Sequence, residues 1–347
     1  MRMLTQLEKK VFCGLAGLYA GDAYGLPMEM MPREHVAQVF GRVEDLVTLD
    51  TPAALDGYWY RPIFPRGRGS DDTYFNTYVI EKYIADGKMD EEATAQIFTD
   101  NIREILDTPF YGPSTLAAIG RMMKGQDPAS TGLPGSPLGD GQSCGAATLR
   151  STPIGMANPA NPEAAALEAA HAALPTHGSR VALSAASAWA AAVACAMSDN
   201  PSLEAVRDAA LLGAEIGARF GRPGIYASVA GRIELAWQIA VQAPSPQKAA
   251  DRLYDLIGAG LPANETVPAS LGMFFACPND VLGAILTAAN AGGDTDSTAS
   301  MAGALAGVYS GACNIPQDRL AMIERVNRID IGDISKRFSA WIRQNRA

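Results

Sequence analysis

Apolar residues along this chain recur every three or four positions, and few segments alternate with the period of two that strands need. The pattern predicts a first helix over residues 5–19. A second covers 73–85 with Tyr74, Tyr78 and Val79 on adjoining faces, stopping at Asp86-Gly87, and an amphipathic one covers 91–106. Alanine-rich helices are expected over 162–174, 181–197, 202–218 and 225–241, and a more charged one over 247–257. Residues 280–289, 298–309 and 317–326 complete the set, with a last helix ending in Trp341. The fold class is therefore all-α. The alanine and glycine load lets helices approach closely, which favours a compact orthogonal helical bundle over a coiled coil. No repeat and no Gly/Ser linker divides the chain, so residues 1–347 read as a single domain.

Two stretches escape the helical pattern. Residues 50–69 carry Tyr58, Trp59, Tyr60 and Arg61, then Pro65-Arg66-Gly67-Arg68; residues 124–144 are rich in glycine and proline. Loops of this length in a compact domain often serve function.

Composition narrows the choices. With 48% apolar residues the chain can bury a sizeable core, and a net charge of −9 argues against nucleic acid and anionic membrane surfaces as partners. The five cysteines, Cys13, Cys144, Cys195, Cys277 and Cys313, are odd in number and contain no CxxC, which fits a reduced, cytoplasmic protein without a thiolate zinc site. Three histidines are too few for a His-rich metal site. The apolar run 11–20 follows two lysines as a signal peptide would, but the pattern continues through Gly21-Asp22-Ala23, so it reads as helix. Residues 181–197 are mostly alanine with two serines and read as a buried helix rather than a membrane span.

Two acidic clusters lie more than two hundred residues apart: Gly69-Ser70-Asp71-Asp72-Thr73 and Gly292-Gly293-Asp294-Thr295-Asp296-Ser297. In the first, Ser70 suits an N-cap and the aspartates suit a helix's positive end, a role compatible with holding a cation. In the second, the two glycines allow a tight turn, and two carboxylates plus two hydroxyls exceed what capping needs. If the clusters meet, four carboxylates and several hydroxyls form an all-oxygen site for two hard cations such as Mg²⁺, Mn²⁺ or Ca²⁺. A third feature, Gly21-Asp22-Ala23-Tyr24-Gly25-Leu26-Pro27-Met28-Glu29, breaks the helix at Gly25 and Pro27 and puts Glu29 on a loop. A carboxylate there would serve as general acid, general base or ligand. Asp22 reads as a buried hydrogen-bonding residue.

Those three motifs, in that order, resemble the ADP-ribosylglycohydrolase family. Further likenesses are Ser143-Cys144-Gly145-Ala146-Ala147 through Arg150 to Pro153-Ile154-Gly155, the Thr176-His177 step, and residues 299–311 followed by Ile315-Pro316. The resemblance implies an all-α fold holding two Mg²⁺ or Mn²⁺ ions at the base of a cleft. It implies Ser70, Asp71, Asp72, Asp294, Asp296 and Ser297 as ligands, and Glu29 as the family's mobile-loop catalytic glutamate, with Asp296 also tied to catalysis. His177, Gly145 and Cys144 would face the ribose or diphosphate, and Phe110, Tyr111 and the aromatics at 58–60 would stack on a base or line the cleft. The chain departs from the family at Cys144, where many relatives have asparagine, and by one extra residue before Arg150. The activity implied is hydrolysis at ribose C1 of an ADP-ribosylated protein side chain or similar conjugate. A small N- or O-riboside is the alternative substrate, and a non-catalytic binding or structural protein on the same fold is the alternative function. A different two-metal hydrolase, such as a phosphoesterase, fits the histidine-poor sequence less well.

Overall fold

The computed structural model describes residues 5–48, 64–136 and 141–346. Tyr58, Trp59, Tyr60 and Arg61 lie outside that set. Among the described residues the protein is all-α, and extended pairing is confined to isolated bridges such as Met31 with Gly293 and Ser143 with Pro262. Among the described residues no helix is long and apolar enough to cross a membrane.

The Arg180–Ala196 helix runs through the centre, buried almost throughout. Its alanines admit Leu203–Gly217, Pro162–Ala173 and Ser151–Ala157 at close range. Trp189 fills the deepest space, and its indole N–H donates to Thr152 Oγ1 at 2.9 Å, so its one polar atom is satisfied.

The pairing that matters most for function is between the opening helix, Gln6–Gly25, and Thr295–Ser310. They run antiparallel along a seam of small residues. A Cβ on Gly17, Gly21 or Gly25 would lie 2.1, 2.1 and 2.2 Å from the carbonyl oxygens of Gly303, Ala299 and Thr295. Only glycine permits backbones this close. The seam brings the C-terminus of one helix to the N-terminus of the other, and Thr295 Oγ1 donates to Gly25 O at 2.8 Å. Helix propensity alone would have ended the first helix earlier. Instead it continues through Gly21, Asp22 and Gly25, because packing repays the poor intrinsic preference.

Other departures from the expected pattern have local causes. The 91–106 stretch divides into Glu91–Asp100 and Ile102–Leu106, and at the break Asn101 Nδ2 donates to Ile97 O. Ala263–Ala276 forms a full helix despite Pro268. Proline leaves the carbonyl four residues back without its N–H partner. That carbonyl, Asn264 O, accepts from Arg232 Nη1 at 2.9 Å instead. Arg33–Phe40 and Pro113–Met122 are further helices within stretches that carried no predicted element.

Candidate active site

Each acidic motif sits at a helix start whose backbone is held by other residues. In the first, Ser70 Oγ caps the Asp71–Asp86 helix by accepting from the Asp72 N–H at 3.2 Å. The fully buried Asp22 carboxylate accepts from the Ser70 N–H at 2.8 Å, the Thr73 N–H at 2.9 Å and the Thr73 hydroxyl. With capping done by Ser70 and Asp22, the carboxylates of Asp71 and Asp72 remain available to the cleft.

The second motif follows the same logic. Gly292 and Gly293 have φ of 77° and 85°, in the left-handed region, and turn the chain sharply into Thr295–Ser310. Asp294 occupies the N-cap position yet makes no side-chain capping bond. Its N–H donates to Ala259 O at 2.6 Å. Gly293 also exchanges hydrogen bonds with the loop after Glu29, giving its N–H to Met31 O (2.7 Å) and accepting from Met30 N (2.6 Å). Glu29 is thereby tied to the Asp294 turn.

The motifs converge on one cleft of about 380 Å³. Glu29, Asp71, Asp72, Asp294, Asp296 and Ser297 all line it. Carboxylate oxygens of Glu29, Asp294 and Asp296 lie within 4.8 Å of one another. Asp72, Asp294, Asp296 and Ser297 are buried, whereas Glu29 and Asp71 are partly exposed. Ser70 stands behind the cleft as the cap. The opposite wall carries Ser143, Cys144, Gly145, Thr148 and His177, and the rim includes Phe110, Pro113 and Leu261. Tyr111 does not share Phe110's position: it is buried with its ring edge-on to Phe98, 6.4 Å between centroids.

Crowded, buried carboxylates resist ionisation. Burial, then Asp72, Asp296 and Glu29 nearby, raise the Asp71 carboxyl well above the usual range. Burial and Asp296 do the same to Asp72 and Asp294. Asp22 is pushed up to about 7, by burial first and Asp296 second, against the hydrogen bonds it accepts. Asp72 Oδ2 and Asp296 Oδ1 are buried without hydrogen-bond partners. Polar atoms rarely stay so unless something else satisfies them. Two orphaned carboxylate oxygens, one from each motif and both in a carboxylate-rich cleft, fit a donor set for hard cations.

The far wall is neutral. His177 donates or accepts through Nε2 to Ser143 Oγ at 2.9 Å and through Nδ1 to Thr176 Oγ1 at 2.8 Å. Burial, with the Arg150 guanidinium behind it, pushes its pKa down to about 3, so it is an uncharged hydrogen-bonding group. Arg150 is fully buried against the rings of Phe75 and Phe98 and donates to Ala172 O and Gly145 O. Cys144 gives its S–H to Asp294 Oδ2 at 2.9 Å, and burial raises the thiol's pKa well above its ordinary value.

Sequence reasoning missed two contributors. Asn76 Nδ2 donates to Asp72 O and Thr148 O, both at 2.7 Å, and so ties the first acidic helix to the far wall. The segment around residues 259–262 straps the wall to the second motif, since Ala259 O receives Asp294 N and Leu261 O receives Cys144 N. Asn76 falls four residues after Asp72 on the same helix face, a spacing that would have pointed to it. Nothing local marks the strap.

The ADP-ribosylglycohydrolase family profile matches residues 3–346, and the chain belongs to that family. It is 27% identical over 98% of its length to the uncharacterized protein YegU of Escherichia coli (strain K12), covering 99% of that protein. An uncharacterized protein of Archaeoglobus fulgidus is 26% identical over 87% of this chain and 88% of its own. A solved structure titled ADP-ribosylglycohydrolase-related protein complex superposes with a TM-score of 0.67 at 21% identity, covering 99% of this chain and all of that one, a likeness that bears on the fold.

Proposed function

We propose that the protein is a divalent-cation-dependent hydrolase that cleaves the glycosidic bond at C1 of a ribose, in an ADP-ribosylated side chain or a similar conjugate. One observation carries the cation requirement: Asp72 Oδ2 and Asp296 Oδ1, from motifs far apart in sequence, are buried in one cleft without partners. Asp71, Asp72, Asp294 and Asp296, with the hydroxyl of Ser297, would hold two ions, Mg²⁺ or Mn²⁺, while Ser70 caps the start of the Asp71–Asp86 helix from behind. When bound, such a pair supplies Lewis-acid polarisation and an anchor for vicinal ribose hydroxyls.

The chain's own residues do the rest. Glu29, on the partly exposed side of the carboxylate group, moves a proton, either from the attacking water or to the departing group. Cleavage develops positive charge on the ribose ring, and the surrounding carboxylates stabilise it. Ser143, Gly145 and neutral His177 orient the part of the substrate beyond the ribose. Phe110 offers a ring face for a base. We read the chain as one catalytic domain acting in the cytoplasm.

A small riboside is the second reading, and one observation favours it. Among the described residues no lysine or arginine lines the cleft, and its histidine is held neutral. Among those residues a diphosphate would find backbone and hydroxyl donors but no side-chain cation. Thermal-shift titration with Mg²⁺ or Mn²⁺ present separates the readings. Stabilisation by ADP-ribose and turnover of ADP-ribosyl-arginine support the first. Stabilisation by nucleosides or ribose alone supports the second. No shift with any of these ligands, with cations bound, would contradict both.

A further inference from the structure

Cys144 is a lining residue whose sulfur the all-oxygen reading leaves without a task. Its Sγ lies 2.9 Å from Asp294 Oδ2 and 4.0 Å from Ser297 Oγ, and its side chain is buried. The closeness is built in by the backbone. Cys144 N–H is held by Leu261 O at 2.8 Å and Asp294 N–H by Ala259 O at 2.6 Å, so one short strap fixes both residues. On the other side of Asp294 stand the carboxylates of Glu29 and Asp296, with Asp296 Oδ1 unpartnered and buried.

A sulfur in contact with Asp294, itself one of three clustered carboxylates, is a different donor set from oxygen alone. Mg²⁺ has little affinity for sulfur, whereas Zn²⁺ and Cd²⁺ accept thiolate and carboxylate together. We propose that Cys144 and Asp294 form a mixed sulfur–carboxylate position on the cation cluster, at which a thiophilic divalent ion displaces the thiol proton and takes Cys144 Sγ as a ligand. The exchange balances: the S–H bond breaks, the proton leaves to solvent, one metal–sulfur bond forms, and no electrons are transferred. With a hard ion the thiol keeps its proton and its bond to Asp294 Oδ2, leaving the carboxylate's other oxygen to face the ion. Cys144 is then the residue that decides which class of cation the cleft retains. This rests on the cleft being a cation centre.

The test uses the full-length protein and two titrations. Cd²⁺ is followed by thiolate-to-metal charge-transfer absorption in the ultraviolet, and Mn²⁺ by calorimetry, for the wild type, Cys144→Ser and Cys144→Ala. The expected result is a wild-type Cd²⁺ band that both variants lose while retaining Mn²⁺ binding. Excess Mn²⁺ should suppress the wild-type band, because the ions compete for Asp294. The other four cysteines are common to all three proteins, so the difference isolates Cys144. A band of equal strength in Cys144→Ser, or one indifferent to Mn²⁺, would overturn the proposal. Should both variants fail to unfold cooperatively, the Mn²⁺ competition in the wild type decides alone. Failure of Mn²⁺ to bind the wild type would instead remove the cation centre itself.

Discussion

Asp296 and Glu29 share one carboxylate group but differ in burial, and that difference separates their tasks. Asp296 is buried with Oδ1 unpartnered, whereas Glu29 is partly open to the cleft. Replacing Asp296 by asparagine removes a charge and a strong oxygen donor. We expect Asp296→Asn to weaken Mn²⁺ binding and cut kcat/KM by roughly 100-fold or more, the scale seen when one electrostatic contact to a transition state is lost. Unchanged turnover with unchanged ion affinity would remove Asp296 from the site. Glu29→Gln should behave differently, keeping Mn²⁺ affinity and losing kcat. Loss of the ions in that variant would make Glu29 a ligand, and full activity would dismiss it from the mechanism. Cys144 keeps a hydrogen bond to Asp294 through sulfur.

Between elements, the decisive feature is the glycine seam that joins Gln6–Gly25 to Thr295–Ser310. It sets the distance between Glu29 and Asp294, and Asp22 on the same helix fixes the start of Asp71–Asp86. One helix thus positions both acidic motifs. A methyl at Gly21 would meet Ala299 O at 2.1 Å, so Gly21→Ala must push the helices apart. We expect a loss of about 1–3 kcal/mol, typical of overpacking, together with weaker Mn²⁺ binding. Gly231, also helical, is the control, since the nearest atom to a new Cβ there is 3.6 Å away. Gly231→Ala should leave thermal stability unchanged or slightly raised. Equal effects at the two positions would argue that the seam positions nothing.

This scale also shows what a sequence reveals. The alanine-rich helices were legible because three-and-four periodicity survives a low-complexity composition. Asp294 and Asp296 stood out in the sequence because two carboxylates and two hydroxyls exceed what capping needs, whereas Asp71 and Asp72 by themselves suit an ordinary helix start. Pro268 hid a helix because its rescue by Arg232 is a tertiary contact. The first helix's end near Gly25 was legible from Gly25 and Pro27, but the reason it survives Gly21 was not, because glycine's penalty is offset only by a partner helix far along the chain. The strap at 259–262 and the sulfur contact at Asp294 were invisible for the same reason: each joins segments that only folding brings together.

For the whole molecule, the raised carboxylates make stability depend on pH and cations together. Asp71, Asp72 and Asp294 are held above their unfolded values, and Asp22 at about 7. Groups whose folded pKa is raised contribute stability that is present below the unfolded pKa, near 4, and lost as pH climbs through the folded values. Cation-free protein should therefore lose thermal stability between about pH 4 and somewhat above pH 7. Divalent cations replace those protons, so the rise in Tm on adding Mn²⁺ should be small at pH 5 and larger at pH 8. A shift that is equal at both pH values would mean the ions bind away from these carboxylates.

The account stands on residues near 70 and near 295 holding the same ions. Anomalous diffraction at the manganese edge, from crystals grown with Mn²⁺, tests that directly. The expected result is density within about 2 Å of carboxylate oxygens from both Asp71 or Asp72 and Asp294 or Asp296, the bonding distance for a small hard cation. Manganese bound at one motif alone, or absent from the cleft in a crystal that holds it elsewhere, would contradict the shared centre and the hydrolase built on it.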